Sequence, residues 1–120
     1  MHLFAQAMHE ASIMESVLET AAAEAAKAGA GRILRIRLKV GILSGVVPEA
    51  LEFAFEGLKS GTMAAEATLE IEPEPAVFRC LECGALPELS EMAFECPACG
   101  GALVVDHGGG QLELAQLELT

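Results

Sequence analysis

Four cysteines, the only ones in the chain, are the residues best suited to chemistry. They form two Cys-x-x-Cys pairs, Cys80 with Cys83 and Cys96 with Cys99, separated by a dozen residues. Two thiolates three positions apart on a tight turn can grip one metal ion, and two such turns complete the tetrahedral four-sulfur shell that zinc prefers. The spacing therefore predicts a zinc ribbon in which all four cysteines are ligands.

A glycine follows each pair, Gly84 after the first and Gly100 after the second. Glycine lets the backbone leave the turn with positive φ, so that amide N–H groups can point back at the sulfurs. Pro97 fixes φ inside the second turn without removing a donor that the turn needs. Because one ion would use all four sulfurs, no coordination position stays open, and the predicted site is structural rather than catalytic.

Three other uses of the cysteines compete with zinc. Two disulfides would suit a small secreted protein, but residues 1–7 lack the basic start and the long apolar run of a signal peptide. A thioredoxin-type redox dithiol needs one Cys-x-x-Cys after a strand, not two facing pairs. Iron in a rubredoxin-like site uses the same ligands, and spacing alone does not separate it from zinc.

Composition narrows the class of protein. At 120 residues and 52% hydrophobic, the chain is long enough for one small domain, or for a domain with a smaller metal-held lobe. The net charge of −11 argues against wrapping nucleic acid, because phosphate contacts need Lys and Arg. No run approaches the length of a membrane span. Paired cysteines without a signal peptide predict the cytoplasm.

Two helices are predicted. Helical periodicity begins near His9 and ends at Gly29, whereas residues 1–7 show no pattern and form an extension. The apolar stripe of this helix consists of Ile13, Met14, Val17, Leu18, Ala21 and Ala25. A second helix starts at Pro48 and closes at Gly61.

Strict alternation of apolar and basic residues predicts a strand over residues 34–40, half of it buried. Its buried face consists of Leu34, Ile36, Leu38 and Val40, and its wet face of Arg35, Arg37 and Lys39. Residues 67–72 and 111–119 alternate as well, the latter with a slip at Ala115–Gln116, and carry glutamates. Opposite charges stabilise neighbouring strands, so these two acidic strands are expected beside the basic one.

Together these elements predict an α+β fold, with two helices on one face of a small mixed three-stranded sheet and an inserted zinc-ribbon lobe held by the four cysteines. The strand–helix–strand unit favours parallel pairing of its two strands. Residues 8–75 plus 106–120 form the predicted α/β domain, and residues 76–105 the zinc-binding domain. Residues 76–78 and 102–105 pair as the neck of the lobe, and Asp106–Gly110 is a flexible loop.

Several short motifs resemble the HypA/HybF family of accessory proteins, and the resemblance covers residues 8–119. They are Met8-His9-Glu10-Ala-Ser12-Ile13, Val40-Gly41-Ile-Leu-Ser44-Gly45-Val-Val-Pro48, Leu51-Glu-Phe53-Ala-Phe55, Gly61-Thr62 and the four cysteines. The resemblance implies a nickel metallochaperone rather than an enzyme. Such a protein would deliver Ni²⁺ to the NiFe hydrogenase large subunit with a HypB-type GTPase as partner, and in some organisms would also serve urease.

The resemblance further implies structural zinc at the cysteines, and makes the α/β domain the nickel-binding one. Nickel would bind there through the start methionine's amine, the following His and nearby amides, and nickel(II) favours such planar nitrogen donors. This sequence departs from the pattern because the motif falls at Met8, His9 and Glu10. Either translation starts at Met8, which we favour because residues 1–7 match nothing, or Met1 and His2 rebuild the amine-plus-His arrangement. Glu10 is expected to orient His9.

Two rival functions remain open on the sequence. A zinc-ribbon interaction module of a transcription or translation complex would bind no nickel. An iron-bound electron carrier would be coloured. His107, beside three glycines, is a minor candidate for an auxiliary metal ligand.

Overall fold

The computed structural model describes the backbone of residues 2–120 and the side chains from His9 onward. This described part forms two helices and six strands, with both helices in the first half of the chain. Their bounds are α1 His2–Lys27, β1 Ile33–Gly41, α2 Pro48–Leu58, β2 Thr68–Glu74, β3 Ala76–Cys80, β4 Glu88–Leu89, β5 Leu103–Gly108 and β6 Leu112–Leu119. No helix in this described part is long and apolar enough to cross a membrane.

Helix α1 starts at His2, so the expected start near His9 was wrong. Residues 2–8 contain neither Gly nor Pro, and nothing in them opposes helix. The helix ends as predicted: Ala30 N–H donates to the Ala25 carbonyl at 3.0 Å, and Gly29, with φ of 73°, donates to Ala26. This is the Schellman arrangement, which needs a residue with positive φ. The predicted stripe is largely buried, at Met14, Val17, Leu18, Ala21 and Ala25.

The first sheet has the strand order β2-β1-β6, with the basic strand in the middle as predicted. Gly31 N–H donates to the Thr120 carbonyl near the start of β1, and Gly41 N–H donates to Gln111 at its end, so β1 and β6 are antiparallel. Ile33 N–H at the start of β1 donates to the Met63 carbonyl ahead of β2, and Ile42 N–H just after β1 donates to the Glu74 carbonyl at the end of β2, so β1 and β2 are parallel. The sheet is therefore mixed.

The predicted charge pairs form across this sheet. Glu70 of β2 lies 3.7 Å from Arg35 and 3.3 Å from Arg37, and Glu118 of β6 lies 3.4 Å from Arg35. All these side chains are well exposed, so each pair contributes at most about 1 kcal/mol. Their clearer effect is to neutralise Arg35 and Arg37, which could otherwise attract phosphates.

Burial along β1 corrects one detail. Leu34 is 39% exposed, although alternation placed it in the core, and Ile33 is buried instead. Leu34 is the second residue of β1, whereas Ile36 and Leu38, further along the strand, are fully buried as predicted. Helix α2, which packs on α1, buries Leu51 and Phe55.

The second sheet has the order β4-β3-β5. Strands β3 and β5 are antiparallel, which confirms the predicted neck, and their register shifts between Val77 and Phe78. Asp106 and His107 belong to β5, and Gly109 N–H donates to the Glu74 carboxylate at 3.2 Å. Residues 109 and 110 lie between β5 and β6 as expected, but the predicted loop was wrong for residues 106–108. Backbone pairing, which the glycine-rich sequence did not reveal, holds these residues.

The chain divides into two compact units. The first contains residues up to 38, residues 46–72 and residues 113–120. The second contains residues 39–45 and 73–112, and thus includes the predicted zinc lobe.

Candidate metal sites

The two Cys-x-x-Cys segments fold into matching turns. Gly84 N–H donates to the Cys80 carbonyl at 3.2 Å, and Gly100 N–H donates to the Cys96 carbonyl at 2.8 Å. Gly84 has φ of 73° and Gly100 has φ of 78°, a conformation that side chains with a Cβ rarely adopt. The predicted reason for a glycine after each pair is confirmed.

Backbone amides of these turns point at the sulfurs. The N–H groups of Glu82 and Cys83 both lie 3.4 Å from Cys80 Sγ. In the second turn, Ala98 N–H lies 3.4 Å from Cys96 Sγ, and Gly101 N–H lies 3.3 Å from Cys99 Sγ. Such donors stabilise negative charge on sulfur, so the turns are built to carry thiolates.

The four sulfurs converge on one point. Cys80 Sγ lies 3.5 Å from Cys99 Sγ, Cys83 Sγ lies 3.7 Å from Cys96 Sγ, and all four atoms lie within 4.8 Å of one another. A tetrahedral ion with metal–sulfur bonds of about 2.3 Å requires sulfur–sulfur distances of about 3.8 Å. The cluster therefore has the size and the donor set for a metal such as zinc.

The thiol pKa values show why a cation suits the cluster. The N–H groups of Cys83 and Glu82 lower the pKa of Cys80 to about 6. At Cys99 the Gly101 N–H pulls the pKa down, but the neighbouring sulfurs of Cys80 and Cys83 and burial outweigh it and raise the pKa to about 12. Several thiolates packed this closely repel each other, so a bound cation is needed to hold all four charges.

At the N-terminal motif, the structure separates two neighbouring side chains. His9 is exposed, whereas Glu10 is only 1% exposed. Glu10 Oε2 accepts a hydrogen bond from Val47 N–H at 2.8 Å, and Glu10 Oε1 has no partner among the described residues. No local pattern signals this burial, because a glutamate in a helix is usually solvated. The side chains of Met8 and His2 lie outside the described residues.

His107 was the remaining candidate ligand. Its Nδ1 lies 2.6 Å from Asp106 Oδ2, and the ring is exposed. This contact orients the ring and leaves Nε2 open to solvent. Among the described side chains, however, only the four cysteines form a group of three or more potential metal ligands.

Comparison with known proteins identifies the family of this chain. The family model described as "Hydrogenase/urease nickel incorporation, metallochaperone, hypA" matches residues 8–119. A hydrogenase maturation factor HypA from Rhizobium leguminosarum bv. viciae is 42% identical over 112 residues, covering 93% of this chain and 99% of that protein. Its counterpart from Roseiflexus sp. (strain RS-1) is 43% identical, covering 92% of this chain and 91% of the relative.

Solved structures show the same fold. The solution structure of the Ni metallochaperone HypA from Helicobacter pylori has a TM-score of 0.63 at 22% identity, and the match covers 92% of this chain and 96% of that one. The resemblance found in the short motifs is thereby confirmed. The chain belongs to the HypA family, the metallochaperones of hydrogenase/urease nickel incorporation.

Proposed function

We propose that this protein captures Ni²⁺ at the motif Met8-His9-Glu10 and passes it to the NiFe hydrogenase large subunit during maturation. The observation that carries the proposal is the family match over residues 8–119, whose description names nickel incorporation and which begins at this motif. The exposure of His9 supports it, because a cargo ion must be able to enter and leave.

Nitrogen donors define the proposed nickel site. The imidazole of His9 supplies one, and a free α-amine at Met8 with adjacent amide nitrogens would complete the planar set that nickel(II) favours. An α-amine has an ordinary pKa near 8, so it is available near neutral pH. Glu10 supports this site indirectly, because its hydrogen bond with Val47 N–H fixes the α1 backbone beside His9. His2 is kept as the alternative imidazole for a chain that starts at Met1.

Zinc is the proposed resident metal of the cysteine cluster. When bound, it would cross-link the two turns and neutralise the thiolates of Cys80, Cys83, Cys96 and Cys99. The sulfur distances given above support this assignment. Four reduced cysteines serving a metal suit the cytoplasm, where thiols are kept reduced.

The proposed partners are a HypB-type GTPase and the hydrogenase large subunit, and in some settings urease accessory proteins. The protein has no phosphate-binding loop of its own in sequence, so the energy for nickel release would come from the GTPase. The net charge of −11 favours attraction of a divalent cation and of basic partner surfaces.

Native mass spectrometry of the intact protein, with nickel added to the zinc-loaded form, tests the proposal. We expect one nickel ion to bind, and His9→Ala to lower nickel affinity at least tenfold while one zinc ion is retained. His107→Ala, which changes another exposed histidine, should leave nickel binding unchanged. If His9→Ala and His2→Ala both bind nickel like the unaltered chain, the proposed site is wrong, and a zinc-ribbon interaction module becomes the better assignment.

A further inference from the structure

Exposed apolar side chains are concentrated in the second unit. Of the seven large hydrophobic residues exposed in the described part of the chain, five lie between residues 81 and 105. They are Leu81, Leu86, Met92, Phe94 and Val105. Where exposed apolar side chains share one surface, that surface commonly binds another molecule.

Strand register assigns two of these side chains to one surface. Backbone N–H groups of Phe78 and Cys80 donate to the carbonyls of Pro87 and Ala85, both at 2.9 Å. These bonds extend the β3–β4 pairing and set Leu86 opposite Arg79. Directly opposed residues project from the same face of a sheet. Leu86 and Arg79 therefore share a face.

The pairing on the other side of β3 adds to this face. Arg79 is opposite Val104, and Leu81 N–H donates to the Ala102 carbonyl at 3.0 Å. Residues two apart on a strand point the same way, so Val77, Arg79 and Leu81 lie on one side. We name this surface the outer lobe face, defined by Val77, Arg79, Leu81, Leu86, Ala102 and Val104.

The opposite face is the interior of the unit. Ala76, Phe78 and Cys80, which alternate with the outer residues, are all buried. On the outer lobe face, by contrast, Leu81 is 56% exposed and Leu86 is 59% exposed. A solvated sheet face normally carries polar side chains, so an apolar centre here needs a partner.

Acidic groups surround this apolar centre. Glu88 is opposite Val77, and the bridge between Glu95 and Ala102 sets Glu95 at the other side of the face. The one cation of the face, Arg79, is engaged by Asp106 at 3.9 Å. Residues 80–96 contain four glutamates and neither Lys nor Arg. The rim is therefore negative, and a matching partner is positive.

We propose that the outer lobe face docks a cationic amphipathic segment of a partner protein. Apolar side chains of that segment cover Leu81, Leu86 and Val104, and its flanking Lys or Arg side chains face Glu88 and Glu95. A second copy of this chain is disfavoured, because it would set two negative rims against each other. Nickel plays no part in this contact, so it goes beyond the proposed function and does not depend on it.

The test uses the intact, zinc-loaded protein and two synthetic peptides of about 12 residues, one of Leu and Lys and one with Glu at each Lys position. We expect the Lys peptide to shift the NMR signals of Leu81, Leu86 and Val104, and its binding to weaken as salt is raised from about 0.1 M to about 0.5 M. The Glu peptide should cause no shifts. Equal binding of both peptides, or shifts confined to the first unit, would overturn the proposal.

Variants locate the contact. Leu81→Ser combined with Leu86→Ser should weaken Lys-peptide binding at least tenfold, and Glu88→Lys combined with Glu95→Lys should do the same. Phe53→Ser removes an apolar side chain that is 83% exposed in the first unit, and should change nothing. All these positions are exposed, and retained zinc checks the fold. Concentration-dependent dimers that the Leu81/Leu86 variant abolishes would assign the face to a second copy and overturn the partner-segment proposal.

Discussion

Glu10 Oε2 accepts the backbone N–H of Val47 at 2.8 Å, and this hydrogen bond joins the motif on α1 to the start of α2. Val47 is the N-cap of α2 and has no side-chain cap of its own. A carboxylate that accepts the N-cap N–H is half of a capping box, normally supplied from within the same helix. Here α1 supplies it, and its negative charge also suits the positive end of the α2 dipole.

The first prediction concerns this contact. Glu10→Ala leaves the half-buried Val47 N–H without its acceptor, and should lower the free energy of unfolding by about 1–3 kcal/mol. Glu10→Gln keeps a carbonyl oxygen for Val47 and should cost less. Urea denaturation followed by circular dichroism measures both. Equal losses for the two variants would show that the hydrogen bond accepted from Val47 N–H does not account for the lost stability.

The second prediction concerns nickel and the start of α1. Because α1 begins at His2, the amides of His9 and Glu10 lie inside the helix, where N–H groups donate to carbonyls four residues back. An amide held this way is a poor metal ligand. A variant that begins at Met8 frees those amides and creates an α-amine beside His9.

We therefore expect the Met8-start variant to bind nickel at least tenfold more tightly than the full chain, measured by competition with a coloured chelator. His9→Ala within the shortened variant is the matched control and should abolish the gain. Tighter binding by the full chain would instead favour Met1 and His2 as the donors.

The third prediction concerns pH and zinc. Metal-free protein keeps a proton on Cys99 at neutral pH, because the pKa of this thiol is raised to about 12, and zinc binding must release it. Zinc affinity should therefore rise with pH. Below about pH 6 the thiol of Cys80 is protonated too, so the dependence should steepen there.

Calorimetric titration of zinc in buffers of different ionisation enthalpy counts the released protons. The count should be at least one at pH 7.5 and should increase towards pH 5.5. A constant affinity over this range would contradict the thiolate cluster as the zinc site.

The fourth prediction concerns two glycines. A Cβ at Gly41 would overlap the carbonyl group of Gly109 and lie 2.9 Å from Gln111 N, all of them backbone atoms that cannot move alone. Gly41→Ala should therefore destabilise the protein by about 1–3 kcal/mol. Gly57→Ala in α2 meets nothing within 4 Å and should stabilise it by about 0.5–1 kcal/mol. Thermal unfolding of both variants gives the comparison. An unchanged stability of Gly41→Ala would show that the backbone around Gly41 and Gly109 is less tightly packed than described.

Local sequence patterns predicted much of the fold. The alternation in β1 and the stripe of α1 report which side of each element is covered, because a strand and a helix repeat with fixed periods. These patterns failed where burial or strand pairing depended on residues far away in the sequence. Leu34 is 39% exposed although its alternation matched the buried face, and Asp106 and His107 joined β5 because β3 offered hydrogen-bonding partners.

The sequence by itself determined each Cys-x-x-Cys-Gly turn, because three-residue spacing and one positive φ suffice to direct two sulfurs to the same side. Only the tertiary structure decided the environment of Glu10. Its partner Val47 is 37 positions away, and whether a carboxylate is solvated or buried against another helix depends on packing that no short window of residues contains.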